Sequence, residues 1–431
     1  MRILTASLCT VYAVVVAASS VGGELNSDSI PPDIVVAADG SGNFKTVQEA
    51  MASIPRTNRE RKIVLVKDGV FKEKIRVDAP CVTLRGQSRK GTRIEYPQLN
   101  DDFTQHPDEL GRAVVNLKGD DFVLENITVA NTAGVVGPHA FAIYGTGERT
   151  VIFDSDVLSD GADTVSLWLG QKGRYYHARC NFKGSVDFVC PRGWCYVTDC
   201  TFYEAKATAA VWHDGHANPD MKFVLNHCQF DGVAGWVLAR HHADAQFYFL
   251  NCNFSQTMVD RPPQRVIYPI GSAKATDADK KKNADLDRTN LWGEREYYSN
   301  CHREGGDYKW FTDNLATAPN SPKPEQITPA WTFAGTWDPE SRSGPTIKKI
   351  EPAADSIAVI FNESVTVKGK PCLILSNSQR AEYVSGSGSE KLSFKVPSEQ
   401  ITKTVEFKLN GGAIIASEAS ANIRHAVLTL P

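Results

Sequence analysis

Four things are missing from this chain, and each absence narrows what it can be. There is almost no net charge: 47 Lys and Arg stand against 50 Asp and Glu in 431 residues, a balance of −3. That argues against nucleic acid as a partner and against a polybasic membrane surface. There is no convincing membrane span. The apolar run Leu8 to Ala18 follows Arg2 and leads into small residues from Ala17 to Gly23, the layout of a secretory signal and too short to cross a bilayer. Residues 1–23 are therefore expected to be a signal peptide, and the mature chain to be secreted or held in the periplasm or cell envelope. Long amphipathic helical stretches are also missing; the β-prone pieces are short. Metal-ligand spacing is absent as well. His213, His216, His241 and His242 fit no common set, and Cys190 and Cys195 form a C-x4-C pair without partners.

What is present is a repeat. Asn126, Asp156, Cys180, Cys200, Cys228 and Cys252 open similar short segments at spacings of 30, 24, 20, 28 and 24 residues. A period in the twenties with short strands predicts a coiled solenoid, in the form of a right-handed parallel β-helix. Successive coils then lie about 4.7–4.9 Å apart, and equivalent residues stack. Nine cysteines follow the signal segment, four of them at the stacking position. A ladder of buried free thiols is the simplest reading.

Within the repeat, Asp163 and Asp187 are 24 residues apart and occupy the same slot of successive coils. Two acids that close cannot both ionise cheaply. One becomes a proton donor and the other a nucleophile or base. For a lone aspartate a structural turn is the better reading; the shared phase favours a site.

Gly161-Ala-Asp-Thr followed by Gly184-Ser-Val-Asp-Phe-Val resembles the paired acid motifs of the pectin methylesterases. Asp39-Gly-Ser-Gly-Asn-Phe, Val66-Lys-Asp-Gly-Val-Phe-Lys-Glu and Leu238-Ala-Arg240 resemble further motifs of that family in the same order, over roughly residues 34–338. The resemblance implies Asp187 as nucleophile, Asp163 as general acid and then base, and Arg240 as the cation that holds Asp187 ionised. It implies no cofactor and no metal. The chain departs from the family where oxyanion-donating glutamines are expected: His139 and Ala162 stand there. The aromatic after the arginine is also replaced, leaving His241 and His242. Trp212, twelve residues after Cys200 as Arg240 is after Cys228, is expected one coil from Arg240. Trp168, Trp194 and Trp236 are further candidate sugar platforms. Lys172, Arg174 and Lys206 are candidate contacts to an anionic glycan.

The fold expected is all-β: a parallel β-helix over 33–338, a linker, and a small β-sandwich over 344–431 resembling bacterial immunoglobulin-like repeats. A short helix, Thr46 to Ser53, is expected to cap the solenoid. The function expected is a monomeric, exported carboxylic-ester hydrolase acting on methyl-esterified pectin or a related uronic-acid polysaccharide. The alternative is a catalytically weakened glycan-binding protein on the same scaffold. A glycosidase or lyase is more distant, although paired acids about 5–5.5 Å apart suit retaining hydrolysis.

Overall fold

The computed structural model describes residues 30–340, 345–353, 355–375, 378–397, 404–410 and 412–417. The expected signal segment lies outside them. Two compact units are present, one over Pro32–Arg342 and one over Ser343–Ser417.

The first unit is a parallel β-helix of three sheets with ten, eight and nine strands. Each full coil visits the ten-stranded sheet, then the nine-stranded sheet, then the eight-stranded one. The corner between the first two is a single tight step. Asn126, Asp154, Arg179, Asp199, His227, Asn251 and Asn300 stand there in turn, all in the left-handed region with φ between 49° and 55°. At Asn126 this step separates the strands Val123–Glu125 and Thr128–Asn131.

The next residue inward is stacked coil upon coil. Cys180, Cys200, Cys228, Cys252 and Cys301 are all buried free thiols in one core, so the ladder has a fifth rung at Cys301. Beside it Phe182, Phe202, Phe230 and Phe254 pair in register, with ring centroids 4.4 to 5.6 Å apart. Each such ring contributes about 1.5–3 kcal/mol by burial. The helix Val47–Ala52 closes one end through Val47, Ala50 and Met51, with the Thr46 side chain accepting from the Glu49 N–H. Phe311 joins the same core at the other end, packing on Phe254 and Tyr298. Leu315, Ile327, Phe333 and Trp337 cover a second apolar cluster that includes Tyr176, Tyr196 and Tyr248 of the ten-stranded sheet.

One element is not foreseen. Residues Asp277–Thr289 form a helix with no buried residue, held by a capping box between Thr276 and Asp279.

The second unit is antiparallel throughout. The long strand Ser356–Lys368 pairs with Ile347–Pro352, Ser389–Lys395 and Ala413–Ala416 around a core that includes Val359, Phe361, Leu392, Phe394 and Phe407.

Candidate active site

The eight-stranded sheet carries the site. Val165–Leu167 and Val189–Pro191 pair in register, Val165 opposite Val189, and each is preceded two residues earlier by an aspartate, Asp163 and Asp187. The Asp163 N–H donates to the Val186 carbonyl at 3.2 Å, and the Asp187 N–H to the Ala209 carbonyl at 2.7 Å. Each acid is thereby fixed by the coil that follows it. Asp163, Val186 and Asp187 all have positive φ, of 59°, 46° and 59°. For the β-branched Val186 this is an uncommon, strained conformation, of the kind that persists where neighbouring structure over-determines it. Gly184 is required just before: an added Cβ would collide with Thr164 Oγ1 and Phe188 Cβ.

The phase of the acids survives two irregularities. Asp156 pairs with Asn181, not with Cys180 as the repeat reading had it. Leu158 then pairs with Lys183 but Ala162 with Ser185, across a bulge in the strand Asp156–Ala162. The next register, Val165 with Val189, restores the offset that aligns Asp163 with Asp187.

Arg240, on the strand Val237–His241, grips Asp187 with three hydrogen bonds. Nε donates to Oδ1 at 2.8 Å and Oδ2 at 3.0 Å, and one terminal nitrogen to Oδ2 at 2.8 Å. A forked, charge-assisted contact of this kind both orients a carboxylate and favours its ionised form. Burial acts against it, so the Asp187 carboxyl is pushed up to about 6 by desolvation, with Arg240 pulling it down. Asp163 is driven well above the usual carboxylate range, by burial first and then by the charge of Asp187; Arg192 and Arg240 oppose that. The two acids are thus separated in the direction that keeps Asp163 protonated and Asp187 ionised near neutrality. Their side chains retain 9% and 10% exposure, so neither is sealed. Beneath them Glu204 is wholly buried and pushed up to about 9 by desolvation; the N–H groups of Lys206 and Val186 act against that rise.

The altered positions gather around Asp163. His139 Nε2 lies 3.9 Å from Asp163 Oδ1, and its ring stacks on Phe141. Burial lowers its pKa, which makes the imidazole neutral at pH 7 and a donor only through its tautomer. Ala162 bridges to His139 through the backbone and presents a buried methyl group. It can donate nothing from its side chain.

Trp212 sits opposite Arg240 in register. It is buried, but its ring meets His242 edge-on at 5.4 Å. His242 Nε2 is 3.0 Å from the Tyr268 hydroxyl, and burial with the Arg240 charge takes the imidazole down to about 4. Lys282, from the unforeseen helix, stands over the Tyr268 ring. Trp168 is half-buried and meets Tyr144 edge-on at 5.2 Å. The other two tryptophans lie elsewhere. Trp236 belongs to the innermost core, and Trp194 packs in the cluster outside the ten-stranded sheet. Arg174 is paired with Glu148 and Thr336, and Lys172 is exposed. Lys206 approaches the loop at Gly137. His213 and His241 are buried, and among the described residues no group of three metal-ligating side chains converges.

Sequence reasoning passed over Arg192. Its guanidinium lies over Trp168 at 4.0 Å and over Trp212 at 4.8 Å. The signal was available: Arg192 follows Trp168 by the same 24 residues that separate the two acids.

The chain matches the family model described as Pectinesterase over residues 33–258. A pectinesterase of Petunia integrifolia is 29% identical over 214 residues, which are 48% of this chain and 55% of that protein. One from Daucus carota is 30% identical over 184 residues, 42% of this chain and 55% of that protein. The chain therefore spans about half the length of these relatives. Among solved structures, a pectin methylesterase from carrot superposes with a TM-score of 0.54 at 20% identity, over 74% of this chain and 95% of its own. One from Erwinia chrysanthemi gives 0.55 at 16% identity, over 72% and 98%. These superpositions establish the parallel β-helix. The immunoglobulin-like character expected for the second unit has no counterpart in them.

Proposed function

The chain belongs to the pectinesterase family, and from that premise we propose that it is an exported carboxylic-ester hydrolase that removes methyl groups from pectin. The observation that carries the reading is the pairing of a clamped aspartate with an unclamped one: Asp187 in the fork of Arg240, and Asp163 in phase on the preceding coil without a cation of its own.

In this mechanism the ionised Asp187 attacks the ester carbonyl carbon. As the tetrahedral adduct collapses, Asp163 gives its proton to the methoxy oxygen and methanol leaves. Asp187 is then joined to the galacturonate carbonyl as a mixed anhydride. Asp163, now a carboxylate, takes a proton from water; the hydroxide adds to the galacturonate carbonyl, and Asp187 departs as the carboxylate that Arg240 receives. No cofactor enters these steps. Methanol release from methyl-esterified pectin is the test, with Asp187→Asn as the control; a variant as active as the parent would remove Asp187 from the role.

A second reading has one observation in its favour. Ala162 and a neutral His139 leave the developing oxyanion with few donors, and the loss of one such donor costs on the order of 10²–10³ in rate elsewhere. The chain would then bind the same glycan and turn it over slowly. Saturable pectin binding without methanol release would favour that reading.

A further inference from the structure

The guanidinium of Arg192 stands out as a cation with no anion. It is half-buried, its Nε has no hydrogen-bond partner, and it makes no ion pair among the described residues. Its charge still reaches Asp163 and Asp214 through space. Two indoles explain why it does not collapse onto either acid: Trp168 at 4.0 Å and Trp212 at 4.8 Å hold its plane. Stacking of this kind orients a guanidinium while leaving its edge donors free. The second cation of the site, Arg240, is already engaged by Asp187.

The residues before and after Arg192 place it on the substrate side of the sheet. It directly follows Val189–Pro191, whose preceding turn holds Asp187, and its two tryptophans flank the strands on either side in the stack. Arg192 stands five residues beyond Asp187 on the same coil, so a group bound there is displaced from Asp187 along the strand, across the coil axis, where a neighbouring unit of a polymer would lie.

We propose that Arg192 is a carboxylate subsite, which binds the free acid of a uronate unit neighbouring the ester that is cleaved. A methyl ester offers only a neutral carbonyl and cannot form the forked, charge-assisted contact that a carboxylate can. The site thus distinguishes pectin that already carries free acids from pectin that is fully esterified. This deepens the esterase reading and rests on its substrate class, but binding tests it without turnover.

The experiment is a pair of titrations of the full-length chain, by calorimetry, with a de-esterified oligogalacturonate and with its fully amidated counterpart, a neutral stand-in for the methyl ester that is not turned over. The parent protein is expected to prefer the acid by roughly tenfold, the scale of one charge-assisted hydrogen bond, and to lose that preference as NaCl is raised. Arg192→Gln is expected to bind both oligomers alike, and Arg192→Lys to recover part of the preference. Equal binding of the two oligomers by the parent, or an undiminished preference in folded Arg192→Gln, overturns the assignment. The parent comparison stands even if the variants fold poorly. Absence of methanol release, by contrast, bears on the esterase reading and leaves this comparison intact.

Discussion

On one side of the acid pair, Asp187 is held by three hydrogen bonds from Arg240. On the other, Asp163 has a neutral imidazole 3.9 Å away and the methyl group of Ala162 next to it in the chain. The two flanks lie on adjacent coils of one sheet, yet they bear different demands. A nucleophile must be ionised and aimed before substrate arrives, which needs a permanent cation. A general acid must stay protonated, and burial alone suffices for that. What the Asp163 flank lacks is donors for charge that appears only during reaction. On the proposed mechanism, the difference teaches that charge is placed before reaction on one flank, while the other offers few side-chain donors to charge that develops during it.

The largest expected effect falls on the clamped flank. Asp187→Asn should lower kcat for methanol release on the order of 10⁴-fold or more, as loss of a covalent nucleophile does. The variant also leaves Arg240 without its anion, so the thermal midpoint should fall, but less than on loss of the cation, because the amide oxygen still accepts from the guanidinium. Arg240→Met comes next. It leaves a buried carboxylate without its partner, a change worth about 3–5 kcal/mol in comparable pairs. Both kcat and the thermal midpoint should fall, and activity should need a higher pH. A variant that keeps full activity would show that the fork is not what aims Asp187.

Turning to the other flank reverses the sign. Ala162→Gln returns an amide donor beside Asp163 and should raise kcat by on the order of tenfold or more, within the range that one oxyanion donor supplies. Ala162 is buried, so the larger side chain has to reach past the backbone bridge to His139. A folded variant with unchanged kcat would show that another group already fills the position and would erase the contrast between the flanks.

How far the chain disclosed this in advance depends on what each feature looks like in one dimension. The cysteine and phenylalanine ladders are legible because stacking repeats the residue type itself. The acid pair is legible because the bulge after Leu158 and the longer turn after Ser185 together return the offset to 24 residues. Asp156 and Cys180, which open the two coils in the repeat, are one residue out of register, since Asp156 pairs with Asn181. The helix Asp277–Thr289 escaped because it buries nothing and has no apolar stripe; caps and charge pairs such as Lys281 with Asp285 hold it instead. Arg192 escaped because a lone arginine after a proline has no motif. Only the stack turns it into a partner of Trp168 and Trp212.

The smallest expected effect separates the flanks by titration. Asp187 must be ionised to attack, and its carboxyl is pushed up to about 6. The rate should therefore fall about tenfold for each pH unit below that value, and the acid limb of kcat/KM should report Asp187. His139 is a rival source of such a limb, since an unperturbed histidine titrates in the same range. Burial lowers its pKa, however, and the Arg112 and Arg240 charges add to that despite Asp101. Its ionisation is thereby displaced to the acid side of the ordinary histidine range. His139→Ala should accordingly leave the apparent pKa of the limb in place, changing at most its height, whereas Arg240→Lys, with one point charge in place of the fork, should move it upward. A limb that disappears in His139→Ala would give the base to the unclamped flank and exchange the roles assigned here.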